Sequence, residues 1–228
     1  MISMRNVSKC YPNGSNALEN VNIEIKKGEF VFVVGPSGAG KSTFIKMIFR
    51  EELPSEGSLV VNGRNVTEMT LKDVPYLRRG LGIIFQDYRL LQDKTVYENV
   101  AFAMQVVEAP RREMQKRVHT VLDLVRLNDK VQSFPTQLSG GEQQRVAIAR
   151  AIVNNPMVVI ADEPTGNLDP ETSWDIMKIF DRINKDGTTI VMATHDKSIV
   201  DTMKKRVIAI ENGRIIRDEA RGVYGYED

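Results

Sequence analysis

One cysteine, Cys10, stands in a chain of 228 residues, so no intramolecular disulfide can form and the chain fits a reducing cytosol. Neither sign of charge prevails. Thirty-one basic residues face 30 acidic ones, a formal charge of +1, and nothing marks the surface as a nucleic-acid binder. The short basic patches KKRVIAI and RREMQKR read as solvated faces rather than a phosphate-backbone track. Long apolar runs are missing too. FVFVV and MVVIA have strand length, far short of the ~20 residues that span a bilayer. The stretch MISMRNVSK has no apolar signal-peptide core, so a membrane role would require a partner that holds the chain there. Repeats, low-complexity tracts and Gly/Ser linkers are also lacking, and the length suits one large α/β domain or two small ones.

What is present is a change of texture. Residues 1 to about 34 and 58 to 85 hold short β-like runs (VNIEI, FVFVV, SLVV, LGIIF), with hairpin signals at Asn13-Gly14 and Asn62-Gly63. From about Thr95 to Val153 the period turns helical. Met114, Val118, Val121, Leu122 and Val125 recur at three- and four-residue spacing. After Pro156 two buried-looking strands, MVVIA and TIVMA, flank a helix, an order that predicts a parallel sheet. A last hairpin, VIAIENGRII, turns on Asn212-Gly213. The expected fold is α/β: a parallel core, an antiparallel β layer and a helical insertion around 90 to 155.

The strongest chemical signal is GPSGAGKST, residues Gly35, Pro36, Ser37, Gly38, Ala39, Gly40, Lys41, Ser42 and Thr43. Gly35 to Ser42 fit the P-loop pattern, with an apolar strand before and an amphipathic helix after. The loop amides would face phosphate oxygens, Lys41 would reach the β- and γ-phosphates, and the Ser42 hydroxyl would ligate Mg²⁺. The bland alternative is a plain glycine-rich turn. MVVIADE then places Asp162 at the end of an apolar strand, where it suits a metal role, with Glu163 beside it as a general base. Alone, that Asp-Glu pair reads as a cap of the next helix; with a P-loop, the catalytic reading prevails. Gln86, after LGIIF, could ligate Mg²⁺ or orient water, and His195, after TIVMAT, could bond the γ-phosphate or merely cap a helix. Tyr11, in KCYPNGS, could stack on adenine or pack at a strand end.

A second glycine-rich turn enters a helix at Leu138 to Gln144, LSGGEQQ. Its Ser139, Gly140, Gly141 and Glu142 form another seat for an anion, although a nucleotide has only one triphosphate tail. P-loop, mid-chain Gln86, LSGGEQQ, the Asp-Glu strand end, GNLD and the His-bearing strand end follow in the order that resembles the nucleotide-binding subunit of ABC transporters. The likeness runs over essentially the whole chain. It implies a single ATPase domain over 1–228, with 1–88 and 156–228 as catalytic core and β layer and about 89–155 as a helical subdomain carrying LSGGEQQ. It further implies ATP and Mg²⁺ as cofactors, Tyr11 as adenine stacker, Gln86 as metal and partner sensor, Glu163 as base and His195 as switch. Asn167-Leu168-Asp169 would cross to the opposite subunit. The two seats are then explained by a head-to-tail homodimer, in which each ATP lies between one P-loop and the partner's Ser139-Gly140-Gly141.

VPYLRRGLGIIFQDYRLLQDKTVYENVA, with MATHD later, resembles the cell-division branch of that family. The resemblance implies a peripheral protein on the cytoplasmic face of the cell membrane, paired with a polytopic membrane subunit and linked indirectly to peptidoglycan hydrolases. Lipoprotein-releasing and macrolide-exporter ATPases share most of the motifs and are the alternative. A soluble ABC-type ATPase would need coiled-coil arms or a second cassette, and a metabolic kinase has no use for LSGGEQQ. A non-hydrolysing module would lose Glu163 or His195. Two points stay open. Tyr88, Leu90 and Leu91 could line the groove for the membrane subunit or simply pack in the core, and the run RGVYGYED differs from shorter-ended relatives.

Overall fold

The structure is a computed structural model that describes residues 1–225; residues 226–228, the last three of RGVYGYED, lie outside the described residues. Its centre is a six-stranded sheet of order β10-β9-β3-β8-β7-β6. β3 (Phe30–Val34), β6 (Leu81–Ile84), β7 (Val158–Asp162), β8 (Thr189–Ala193) and β9 (Arg206–Glu211) run parallel, and β10 (Arg214–Glu219) returns antiparallel. All five residues of FVFVV are buried, which is why the run is apolar without alternation: both faces of the strand are covered. The side chains still alternate between two cores. Phe30, Phe32 and Val34 enter one, Val31 and Val33 the other.

The second sheet is antiparallel, β2 (Asn16–Ile25), β1 (Ile2–Cys10), β4 (Glu56–Val61) and β5 (Arg64–Asn65) in the order β2-β1-β4-β5. It packs against α1 (Lys41–Ile48) and one face of the central sheet. Two of the three expected Asn-Gly turns form as two-residue hairpins, whereas Asn13-Gly14 lies in a five-residue β1–β2 connection in which Gly14 takes positive φ and Asn13 does not. Asn62 and Gly63 both take positive φ, 50° and 74°, as do Asn212 and Gly213, 48° and 76°, the twist-matched two-residue turn that Asn-Gly favours.

The other face of the central sheet carries most of the helices. The short α2 (Val74–Arg78), which has a proline in its first turn and precedes β6, stays with α1 in the core beneath the antiparallel sheet through Leu77. α3 (Val96–Val106), α4 (Arg111–Leu124) and α5 (Gly140–Ile152) lie between β6 and β7, and α6 (Pro170–Lys185) and α7 (Lys197–Met203) flank β8. Met114, Val118, Val121, Leu122 and Val125 do form the apolar stripe of α4 and its C-cap, packed into the shared core.

The loop before α3 settles one open point. Leu90 is 7 % exposed and belongs to this core. Asn99, fully buried, binds the loop beside it: its amide nitrogen donates to the carbonyls of Leu91, Lys94 and Thr95, each at 3.0 Å, and its oxygen accepts from the Leu91 N–H at 2.8 Å. The groove reading therefore does not hold for Leu90, while Tyr88 stays half-exposed. Leu90→Asp should remove about 3 kcal/mol or more of stability by burying an unpaired carboxylate, lowering Tm by about 6–12 °C for a chain of this size. Thermal unfolding checks this; an unchanged Tm would return Leu90 to the surface.

Candidate active site

Because the central strands are parallel, their C-terminal ends open on one edge, and the loops leaving that edge carry the site. The P-loop leaves β3. Gly35 (φ 145°) and Gly40 (φ 108°) are required by close approach as well as by conformation, since a Cβ on them would lie 2.0 Å from the Ile210 oxygen and 2.3 Å from the Ala17 oxygen. Lys41 is buried at the start of α1 and its Nζ donates to the carbonyls of Gly35 (2.7 Å) and Pro36 (2.9 Å). The turn of the β9–β10 hairpin props the loop from outside, the Gly213 N–H donating to the Ala39 oxygen at 3.1 Å. The motifs of the sequence did not single out Gly213 for this.

A cleft of about 580 Å³ opens above the loop, lined among others by Tyr11, Lys41, Ser42, Thr43, Glu163 and His195. Tyr11 follows β1. Its hydroxyl shares a 3.1 Å hydrogen bond with Thr43 Oγ1, and Lys9 Nζ sits 5.0 Å from its ring centre. The ring is thus a wall of the cleft rather than a plug at a strand end.

Asp162 closes β7, with the Ser42 hydroxyl near its carboxylate. Burial pushes its carboxyl above the usual range. The Ser42 hydroxyl works against that shift, and the neighbouring Glu163 adds to it. Glu163 adopts φ 49°, a left-handed conformation that is costly for a residue with a side chain. The bend is held by two backbone bonds: the Glu163 N–H donates to Ala193 O at 3.0 Å, and its carbonyl accepts from Gly166 N–H at 3.1 Å. The result is that Glu163 Oε2 meets His195 Nδ1, from the loop after β8, at 2.7 Å.

Neither group is a helix cap. α6 is capped by Asp169, whose carboxylate accepts from Thr172 N–H at 3.0 Å, and α7 by Asp196, which accepts from Ile199 N–H at 3.2 Å. The capping alternatives for Asp162-Glu163 and for His195 therefore fall away. Thr172, through its side chain first and then its amide, holds the Asp169 carboxyl below its ordinary range. Gln86 is exposed after β6. Its Nε2 and Glu163 Oε2 converge on Gly166, where an added Cβ would lie 3.3 Å and 3.4 Å from them.

The second glycine turn is built as a capping box. Ser139 Oγ accepts from Glu142 N–H at 3.3 Å, and Glu142 Oε2 accepts from Ser139 N–H at 2.8 Å, so the Glu142 carboxyl is held low. The amides of Gly140 and Gly141, in the first helical turn, have no carbonyl within their own helix to bond. Ser139, Gly140, Gly141, Glu142, Gln86 and Asp169 do not line the cleft that holds the P-loop. Within one chain, the two anion seats are separate.

One residue outside every motif ties α5, the helix that begins at the second seat, to the loop after Gln86. Tyr88 and Arg89, just past Gln86, both take left-handed conformations, φ 58° and 47°. Their carbonyls are gripped by the Arg150 guanidinium of α5, at 2.7 Å and 2.6 Å. In the run RVAIARAIV this arginine looks like one more basic residue on a helix surface.

The chain matches the ABC transporter family over residues 18–166. It is 60 % identical over its full length to the cell division ATP-binding protein FtsE of Streptococcus pneumoniae serotype 2, covering 99 % of that protein. It is also 60 % identical to the FtsE of Bacillus subtilis, with both chains covered in full. A solved dimeric ATP-binding cassette in a post-hydrolysis state, bound to ADP and Pi, is 36 % identical, with 99 % of this chain and 100 % of that one aligned at a TM-score of 0.87.

Arg150→Met should leave two strained carbonyls without their donor and cost about 2–3 kcal/mol. Arg150→Lys, a single point charge, should recover only part. Hydrogen exchange should quicken at residues 86–90 in both variants, and unaltered exchange there would show that Arg150 does not hold the loop.

Proposed function

This chain belongs to the ABC transporter family, and on that premise we propose that it is the ATP-hydrolysing subunit of a membrane complex acting in bacterial cell division. The observation that carries the reading is the 2.7 Å contact of Glu163 with His195 in the same cleft as the buried P-loop lysine. A phosphoryl-transfer site needs a cationic cradle and a base to orient water, and this cleft has both. Glu163 is the general base, His195 holds its carboxylate in place and faces the γ-phosphate, and Lys41 with the loop amides neutralises the phosphate oxygens. Tyr11 stacks on the adenine. Full-length identity to FtsE proteins of two organisms favours cell division over the lipoprotein-releasing and exporter branches.

Mg²⁺ fits the residues present. Asp162 and Ser42 offer a carboxylate and a hydroxyl close to one another, with Gln86 at the next strand end. That is an oxygen donor set of the kind that Mg²⁺ completes with phosphate and water. When bound there, the ion neutralises charge on the phosphates.

The separation of the two anion seats supports a homodimer in which the P-loop of one chain and Ser139-Gly140-Gly141 of the other enclose each ATP, with Asp169 and its loop crossing the interface. No helix among the described residues is long and apolar enough to cross a membrane. We assign attachment to an FtsX-like polytopic subunit docking on the helical subdomain, about 89–155, near Gln86 and Tyr88. That places the chain on the cytoplasmic face of the membrane, its turnover relayed to peptidoglycan hydrolases or their activators.

Glu163→Gln should leave ATP binding intact while steady-state phosphate release falls by ~10²–10⁴, and nucleotide-bound dimers should accumulate. Near-normal turnover would remove the base assignment. A second experiment tests the shared site. Chains carrying Lys41→Ala and chains carrying Ser139→Arg should each fail as homodimers. A mixed dimer rebuilds one whole site and should trap one nucleotide per pair. Folded mixtures that trap none would count against sharing.

A further inference from the structure

The ring of Tyr11 is held from outside the cleft as well as from within it. Lys9, two residues earlier on β1, places its Nζ over the ring, 5.0 Å from the ring centre, within the range of a cation–π contact. A lysine side chain is ordinarily free to leave such a place. This one is only 13 % exposed, and its ammonium pairs with the Glu52 carboxylate at 2.7 Å. Glu52 lies in the loop after α1, and its N–H donates to the Lys46 carbonyl of that helix at 3.3 Å. The same loop grips the strand end a second time through Ser55. Its N–H donates to the Ser8 carbonyl at 2.8 Å, and its hydroxyl oxygen accepts from the Cys10 N–H at 3.0 Å. The end of β1 and the helix that the P-loop enters are thus stapled together just before Tyr11.

Two restraints meet on the ring, and they do different things. The hydrogen bond between the Tyr11 hydroxyl and Thr43 Oγ1 fixes the tip. That bond lies on the axis about which the ring turns, so it leaves the direction of the ring face free, and a terminal aromatic torsion has broad wells of its own. A cation over the face fixes that direction, because the negative face attracts it and the positive edge does not. Tyr11 lines the cleft, whereas Lys9 and Glu52 do not. The ammonium therefore takes the ring from outside and leaves a face for the cleft.

We propose that Lys9 is a positioning residue for the adenine seat: held by Glu52, it sets the plane of the Tyr11 ring so that the free face is presented to a purine. The base and the phosphates of a nucleotide then depend on one helix. α1 carries Lys41, Ser42 and Thr43 at its start, and the loop at its other end orients the ring through Glu52 and Lys9. A ring already facing the right way spares the base the cost of ordering it on binding. This inference rests on the reading of the cleft as an ATP site and of Tyr11 as its adenine stacker.

Lys9→Met keeps the length of the side chain and removes its charge. It should weaken ATP binding about three- to fivefold and raise KM for ATP by a similar factor, the loss falling on KM rather than on kcat. Inorganic tripolyphosphate, which has no base to stack, should bind the variant and the unmodified chain equally. Lys9→Arg, whose guanidinium can sit over the ring and still pair with Glu52, should restore ATP binding. In a Tyr11→Leu background, Lys9→Met should have no further effect. Unchanged ATP binding in Lys9→Met would overturn the inference. So would an equal loss for ATP and tripolyphosphate, or a loss that persists in the Tyr11→Leu background, because Lys9 would then act as a distant charge or as a support of the fold. If the unmodified chain bound no ATP, or if Tyr11→Leu alone bound it as tightly, the reading of the cleft or of Tyr11 would fail and the inference with it. A weakened Tyr11→Leu beside an unaffected Lys9→Met would remove the positioning role alone.

Discussion

The site depends on one constraint, that β3, β6, β7 and β8 run parallel with apolar residues on both faces. Parallel strands must be joined by crossovers, so their C-terminal ends share an edge and their loops meet there. Gly35, Gln86, Asp162 and His195 are far apart in sequence, yet each lies at or just past the end of one of these strands. The apolar runs between the motifs place the chemistry. A polar residue inside FVFVV or TIVMA would injure the cleft without being part of it.

Some of the loops at that edge turn sharply enough to strain the backbone. Glu163, Tyr88 and Arg89 are left-handed without being glycine, each at a cost of about 1 kcal/mol or more. Each bend has its own restraint: backbone bonds from Ala193 and Gly166 for Glu163, and the Arg150 guanidinium for the other two. An ordinary conformation at Glu163 would turn its carboxylate away from His195. The bend is therefore part of how the base is aimed.

Much of this was legible in the sequence, for identifiable reasons. FVFVV, MVVIA and TIVMA could be read as buried strands because burial on both faces leaves no alternation, and Asn62-Gly63 and Asn212-Gly213 could be read as tight turns because few other pairs tolerate two positive φ values. What could not be read were contacts between distant segments. Asp162, Asp169 and Asp196 all follow apolar strands or glycine turns, and no local pattern says that the latter two are spent on helix caps while the first sits near the Ser42 hydroxyl. Arg150 and Asn99 show the same limit. Each looks like an ordinary surface residue, and each acquires its role from carbonyls brought to it by the fold. Leu90 was ambiguous because an apolar side chain in a loop fits a docking groove and a core equally well.

The helix that begins with the second anion seat also holds the loop beside Gln86, and this bears on why two seats are built into one chain. The capping box uses the Glu142 amide and leaves those of Gly140 and Gly141 at the helix start, where the helix dipole is most positive. Ten residues further on, about 15 Å along the axis, Arg150 of the same helix grips the carbonyls after Gln86. Helices are stiff over that length, so an anion drawn to the start of α5 and the position of the Gln86 loop are not independent. A seat serving its own chain's P-loop would have to lie in the cleft beside Lys41, and Ser139 to Gly141 do not. Placed instead at the end of a rigid element whose far side grips the loop next to the catalytic edge, the second seat is suited to registering a phosphate held by another chain.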